Sequence, residues 1–188
     1  MSSEMHITFI NVGQGDSTLI HLPSNSLARE SAVLIDCPSS KSQVVLDLLE
    51  KQKVEPLALV IVTHSDDDHC GGISDILSNF ATMGTIGQVA YIPDSPTSGY
   101  RKGIGRGYKR FARLTLDLEQ KGKLIWWRPN LDTKRFGETI IRFLHPDERD
   151  IWLGLVEKDR NSVSQVVSVA LLCHLAILHI LAKSERAC

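Results

Sequence analysis

The chain has 188 residues, 43% hydrophobic and 23% charged, with a formal net charge of -1. That length suits one domain with a substantial core, and near-neutrality excludes a global field that would hold the protein on nucleic acid or an anionic membrane. The four cysteines, Cys37, Cys70, Cys173 and Cys188, lack CxxC spacing, which argues against a zinc finger or dithiol motif; MSSEMHITFINVG does not read as a signal peptide, so a reduced cytoplasmic setting is expected.

In chain order, Met5 to Val12 alternates apolar and polar residues, GQGD supplies a tight turn, and STLIHL resumes as a second strand, predicting a β-hairpin. AVLIDC reads as a third strand. Pro38, Ser39 and Ser40 then open a helix in which Val44, Val45, Leu48 and Leu49 recur at helical spacing. LALVIVTH is a continuous β-branched run, expected to be a strand buried on both faces. A short helix at ISDILSNF and a strand at QVAYIP follow, and this alternation predicts an α/β domain. SPTSGYRKGIGRG is rich in glycine and base and leads into a helix with Phe111, Leu114 and Leu118 on its apolar face, ended by Gly122. Further strands are expected at KLIWWR, ETIIRFLHP and QVVSVALL. There is no internal repeat, no phosphate-loop context around GIGRG, and no GxSxG elbow.

The chemistry concentrates in HSDDDH, on the loop leaving the β-branched strand. Three adjacent carboxylates between two imidazoles repel one another unless a cation sits among them. His64, Asp66, Asp68 and His69 follow an H-x-D-x-D-H spacing, and their oxygen and nitrogen donors suit Zn²⁺, Mn²⁺ or Fe²⁺. Four donors in one loop can also be split between two ions, with His64 and Asp66 on one and Asp68 and His69 on the other. Such ions, about 3.5–4 Å apart, clamp a hydroxide and a scissile group. Asp67 is expected to point outward. The competing reading is a solvated acidic turn.

THSDDDHCGG resembles the H-x-[HD]-x-D-H signature of the metallo-β-lactamase fold, in the Asp variant of its ComEC-like competence-protein branch. FINVGQGDSTLIHL resembles that branch's DVGQGDS hairpin, with Asn11 where Asp is common. AVLIDC resembles its LIDxG element, with Asp36 in place, and RFLHPDERD and RNSVSQVVSVAL resemble later segments. The resemblance runs over residues 5–172 of a single domain spanning 1–188, and leaves 173–188 as an atypical tail. It implies an αββα sandwich, apparently truncated in its C-terminal half. The implied activity is that of a metal-dependent hydrolase, a phosphodiesterase or nuclease, using hydroxide on Zn²⁺ or Mn²⁺, with up to two ions. Carried over by position, His64, Asp66, Asp68 and His69 are metal ligands, Asp68 also serves catalysis, and Asp16 and Asp36 stand behind the ligands.

The resemblance also has departures. The family continues with a Gly-Asp motif and a later His, whereas here CHLAILHILAKSERAC follows Leu172. His174 and His179 do not match that context and are expected to be helix or tail residues. A catalytically incomplete protein acting as a binding module therefore stands beside the hydrolase. The apolar stretch Val166 to Ala182 is shorter than a spanning helix needs, so no membrane span is expected, although it offers a surface for self-association. His145 before Pro146 reads as a packed turn residue, and Cys70 as a small buried side chain. The basic run carrying Arg101, Lys102, Arg106, Lys109, Arg110 and Arg113, interleaved with Tyr100, Tyr108 and Phe111, is either a solvated surface or a surface for a nucleic-acid or nucleotide substrate.

Overall fold

The computed structural model describes residues 5–23, 31–63, 66–81, 86–91, 106–126, 133–145, 166–171 and 177–181. The expected hairpin forms from β1 (His6–Phe9) and β2 (Thr18–His21), paired antiparallel with Ile7 opposite Ile20. Next come β3 (Ala32–Ile35), a 3₁₀ turn at Ser39–Lys41, α1 (Ser42–Lys51), β4 (Leu57–Val62), α2 (Asp67–Cys70) and α3 (Ile73–Ala81). The distal half holds β5 (Ile86–Tyr91), α4 (Arg106–Gln120), β6 (Leu124–Trp126), β7 (Thr133–Phe136), β8 (Thr139–His145), β9 (Val166–Leu171) and β10 (Ile177–Leu181).

The strands form two sheets. One runs β1-β2-β3-β4-β5-β6, antiparallel through β3 and parallel from β3 to β6; the other runs β10-β9-β8-β7 and is antiparallel throughout. Two apolar layers follow from strand alternation. Leu19, Leu34, Val60 and Val62 face α1, α3 and α4, which supply Val45, Leu49, Ile73, Leu77 and Phe111. Ile20, Val33, Ile35, Leu59 and Ile61 face the second sheet, which supplies Ile141, Phe143 and Val169. Burying each such aliphatic side chain is worth about 1.5–3 kcal/mol. β4 lies mid-sheet with both faces covered, which is why its run is continuously apolar. All described helices lie on the outer face of the larger sheet, and among the described residues none is long and apolar enough to cross a membrane.

Local chemistry explains the boundaries. The pairing shifts between Ala32 and Val33, leaving Ala58 as an extra residue in β4, and Gly87 lies so close that a Cβ there would be 2.2 Å from the Ala58 carbonyl oxygen. At the end of α4, Gly122 adopts φ +66°, while its N–H reaches the Glu119 carbonyl and the Lys123 N–H the Leu118 carbonyl, as expected for a glycine stop.

Two segments differ from expectation. No strand was expected at Thr133–Phe136, whose Lys134 and Arg135 hide the alternation; it pairs with β8 through a two-residue turn with Gly137 at φ +58°. The segment bearing His179, expected to be helix or tail, is instead β10, which pairs antiparallel with β9 over its whole length, Ile177 opposite Ala170. Its β-branched and leucine content satisfies a sheet edge as readily as a helix, and only the neighbouring strand decides. His174 lies outside the described residues, and His145 ends β8 opposite Val166.

Candidate metal centre

β4 ends at Val62 beside Tyr91, so β4 and β5 deliver their C-terminal ends to one rim of the sheet. His64 and the following Ser65 lie outside the described residues. Asp66 has extended backbone (φ -71°, ψ 147°) at the N-cap of α2, and its carbonyl accepts the N–H groups of His69 and Cys70 at 2.9 and 2.8 Å. The expected loop is therefore largely one helical turn. Asp67 and Asp68 stand in its first turn, where the helix dipole favours negative charge, so the turn itself eases part of the repulsion among the three carboxylates.

Asp67 does not point outward as expected. It is half-buried, and its Oδ2 accepts a hydrogen bond from the Ser39 hydroxyl at 3.2 Å, which ties α2 to the 3₁₀ turn. Asp66 and Asp68 are half-buried, and Asp16 is exposed. Cys70 is buried in the core, as expected. Gly71 and Gly72 are needed for close approach: a Cβ on Gly71 would lie 2.4 Å from the Asp67 carbonyl oxygen, and one on Gly72 would lie 2.5 Å from that of Pro38.

Asp36 organises the site. It adopts φ +59°, is 1% exposed, and turns its carboxylate back under the loop. Its Oδ1 accepts the Thr63 N–H at 2.8 Å, while Oδ2 accepts the Thr63 hydroxyl and His69 Nδ1, the latter at 2.9 Å. The Ser17 hydroxyl donates to the Asp36 carbonyl at 2.9 Å, and the Asp36 N–H donates to the Ile61 carbonyl at 3.0 Å. One residue thus joins the ends of β2, β3 and β4 beneath His69. Because a carboxylate only accepts, Nδ1 carries the proton of the neutral ring and Nε2 its lone pair, the tautomer that would suit an imidazole as a metal ligand.

Burial alone would lower the pKa of His69. The hydrogen bond to Asp36 and its charge, with the charges of Asp68 and Asp16 behind it, outweigh that and raise it above the ordinary histidine value. Asp16, Asp36 and Asp68 are thereby placed within electrostatic reach of His69. Beside them the Cys37 thiol is pushed up to about 12, first by burial and then by Asp36 and Asp75. A neutral, buried thiol is a poor nucleophile. Cys37 and Cys70 are expected to resist a thiol-specific chromophoric reagent at pH 8 in native protein and to react on unfolding, with mass mapping to identify the labelled positions. Rapid native labelling of Cys37 would contradict this burial.

The donors suit Zn²⁺ or Mn²⁺, and the buried carboxylate behind His69 suits a ligand imidazole. Among the described residues, no three His, Cys, Asp or Glu side chains gather as a metal site, and His64 stands outside that set. Of the basic residues, Arg101 and Lys102 lie outside the described residues and Arg106 opens α4; Lys109 is exposed, and Arg110 is held by an ion pair with Asp75. Sequence reasoning missed Gly15, Ser17 and Thr63. Their only signal was adjacency to Asp16 and His64.

Residues 10–154 match the metallo-beta-lactamase superfamily. Among curated proteins none matches the sequence. Solved structures of similar fold include a metallo-beta-lactamase from Staphylococcus aureus (TM-score 0.53, 14% identity, covering 90% of this chain and 40% of that one). A metallo-beta-lactamase HARLDQ-motif mutant from Cronobacter sakazakii gives TM-score 0.57 and 10% identity over 93% of this chain and 60% of that one. The short form of human tRNase Z gives TM-score 0.50 and 13% identity, covering 93% and 67%. The chain spans 40% to 64% of the length of the first three solved structures it resembles. The family match covers most of the sequence and the two-sheet architecture agrees with the fold of these structures, which leads to one assignment: this chain belongs to the metallo-beta-lactamase superfamily.

Proposed function

We propose that this chain is a metal-dependent hydrolase domain acting on a phosphodiester, within the ComEC-like competence-protein branch of the superfamily. The observation that carries the reading is the buried Asp36 to His69 hydrogen bond, which orients an imidazole at the end of the central strand. The Asp variant of the loop and the GQGDS hairpin favour that branch. His64, Asp66, Asp68 and His69 would hold Zn²⁺ or Mn²⁺. When bound, the metal supplies a hydroxide at neutral pH and stabilises the charge developing on the attacked group. The protein's part is positional: Asp36 fixes the His69 tautomer, Thr63 holds Asp36, and Asp67 is engaged by Ser39, leaving Asp66 and Asp68 as the carboxylates for metal.

A second reading, a binding module of the same fold without catalysis, is favoured by the sequence after Leu172, where CHLAILHI stands in place of the Gly-Asp motif of the resembling family. Elemental analysis of purified protein, with Asp68→Ala and His69→Ala alongside, separates the two. Stoichiometric metal in the wild type, lost in both folded variants, is the expected result. Metal-free wild type that remains folded after dialysis against Zn²⁺ and Mn²⁺ would overturn the hydrolase reading.

A further inference from the structure

The charge order along α4 runs against its own dipole. Its first eight residues contain Arg106, Lys109, Arg110 and Arg113 with no acid, and its last four contain Asp117 and Glu119 with no base. A helix presents partial positive charge at its N-terminus and negative at its C-terminus, so both ends work against helix stability. A local rule broken repeatedly in one direction is most economically explained by a task for the charges elsewhere.

Three contacts show where the basic half stands. Phe111 packs edge-on against Tyr91, with ring centroids 5.0 Å apart and planes at 86°. Tyr91 lies opposite Val62, the last residue of β4 before the metal loop. Arg110 pairs with Asp75 in the first turn of α3, directly after Gly71 and Gly72. Since α4 crosses from the end of β5 to the start of β6, which runs parallel to it, its basic half lies at the rim bearing the metal loop and its acidic half at the opposite rim. Phe111, Thr115 and Leu118 are buried, whereas Lys109 and Arg113, one turn apart, are exposed together.

We infer that the Lys109 and Arg113 face of α4 is a docking rail for the phosphate backbone of a nucleic-acid strand, beside the metal loop. The inference rests on the phosphodiester reading and adds a polymer and a surface to it. Arg110 acts as a positioning residue, pinning the rail to α3. Charge complementarity selects the partner: the two cations match a backbone with one charge per nucleotide, whereas the chain as a whole, at net charge -1, offers no general attraction.

The test measures fluorescence anisotropy of a labelled oligothymidylate against salt, in EDTA so that binding is read without turnover or metal. Lys109→Glu/Arg113→Glu is compared with Lys51→Glu/Lys53→Glu, which makes the same charge change at the last residue of α1 and just after it, at the opposite rim. In the first variant affinity should fall, and the slope of log affinity against log salt should shrink by about 1.4, at ~0.7 per lost phosphate contact to a single strand. The control should bind like wild type. The melting temperature of the α4 variant should stay close to that of the wild type, because Lys109→Glu eases the dipole conflict near the helix start while Arg113→Glu faces Asp117 one turn on. No binding by wild type at low salt, equal losses in both variants, or capture by anionic phosphatidylglycerol vesicles but not by oligothymidylate would each overturn the rail. Metal content reports separately: strand binding by a protein that takes up no metal would sink the hydrolase reading and leave the surface standing.

Discussion

Gly15→Ala is expected to disable the proposed metal loop from outside it. Gly15 lies in the β1–β2 turn at φ +96°, and a Cβ there would be 2.0 Å from the backbone oxygen of Asp68 and 2.9 Å from Pro38 Cγ. The conformation alone costs a non-glycine residue about 1–3 kcal/mol. The clash adds to that, because its partner is backbone of α2 and cannot rotate away. Gly13 is the control: it also has positive φ, at +74°, but nothing lies within 4 Å of its would-be Cβ. Gly13→Ala should therefore pay only for conformation and keep metal uptake, while Gly15→Ala should lose more stability in urea titration and bind Zn²⁺ at least about tenfold more weakly, a shift worth ~1.4 kcal/mol. Equal behaviour of the two variants would show that the turn does not bear on the loop.

Asp36→Ala should be among the most damaging single changes in the described core. It removes the acceptor of His69 Nδ1, the Thr63 N–H and the Thr63 hydroxyl at a position that is nearly sealed from solvent. Removing one member of a buried charged pair costs about 3–5 kcal/mol, a large part of the ~5–15 kcal/mol that holds a typical domain together. Asp36→Asn is the informative companion, since asparagine tolerates positive φ and preserves the shape while deleting the charge. The sign of its pH dependence follows from His69, whose folded pKa is raised above its unfolded value. The pair's contribution is therefore fully present below the unfolded value of about 6.5 and fades as pH rises through the folded value. In EDTA, the stability gap between wild type and Asp36→Asn should be widest on the acid side of that window and shrink above it. A gap that widens with rising pH would mean that His69 is held neutral.

Local periodicity was sufficient for much of the architecture. The β4 run is apolar at every position because it is covered on both sides, and Phe111 and Leu118 fall on one buried face of α4 because helical spacing requires it. The same reasoning failed where a pattern suits two structures. Ile177–Leu181 could satisfy a helix or a strand, and the free hydrogen-bonding edge of β9 settled the matter. It failed again at Thr133–Phe136, where half-exposed charges blur the period of two.

The sequence by itself determined the superfamily's loop, the order of the proximal strands and the chemical type of the donors, since spacing and residue type suffice for these. Only the tertiary structure decided how the donors are supported. Asp36 is separated from His69 by 33 positions and Gly15 lies far upstream of Asp68, so no window of local pattern connects them. They meet because β2 begins, and β3 and β4 end, at one rim, and a buried carboxylate or a missing Cβ acquires its meaning from what the fold brings against it.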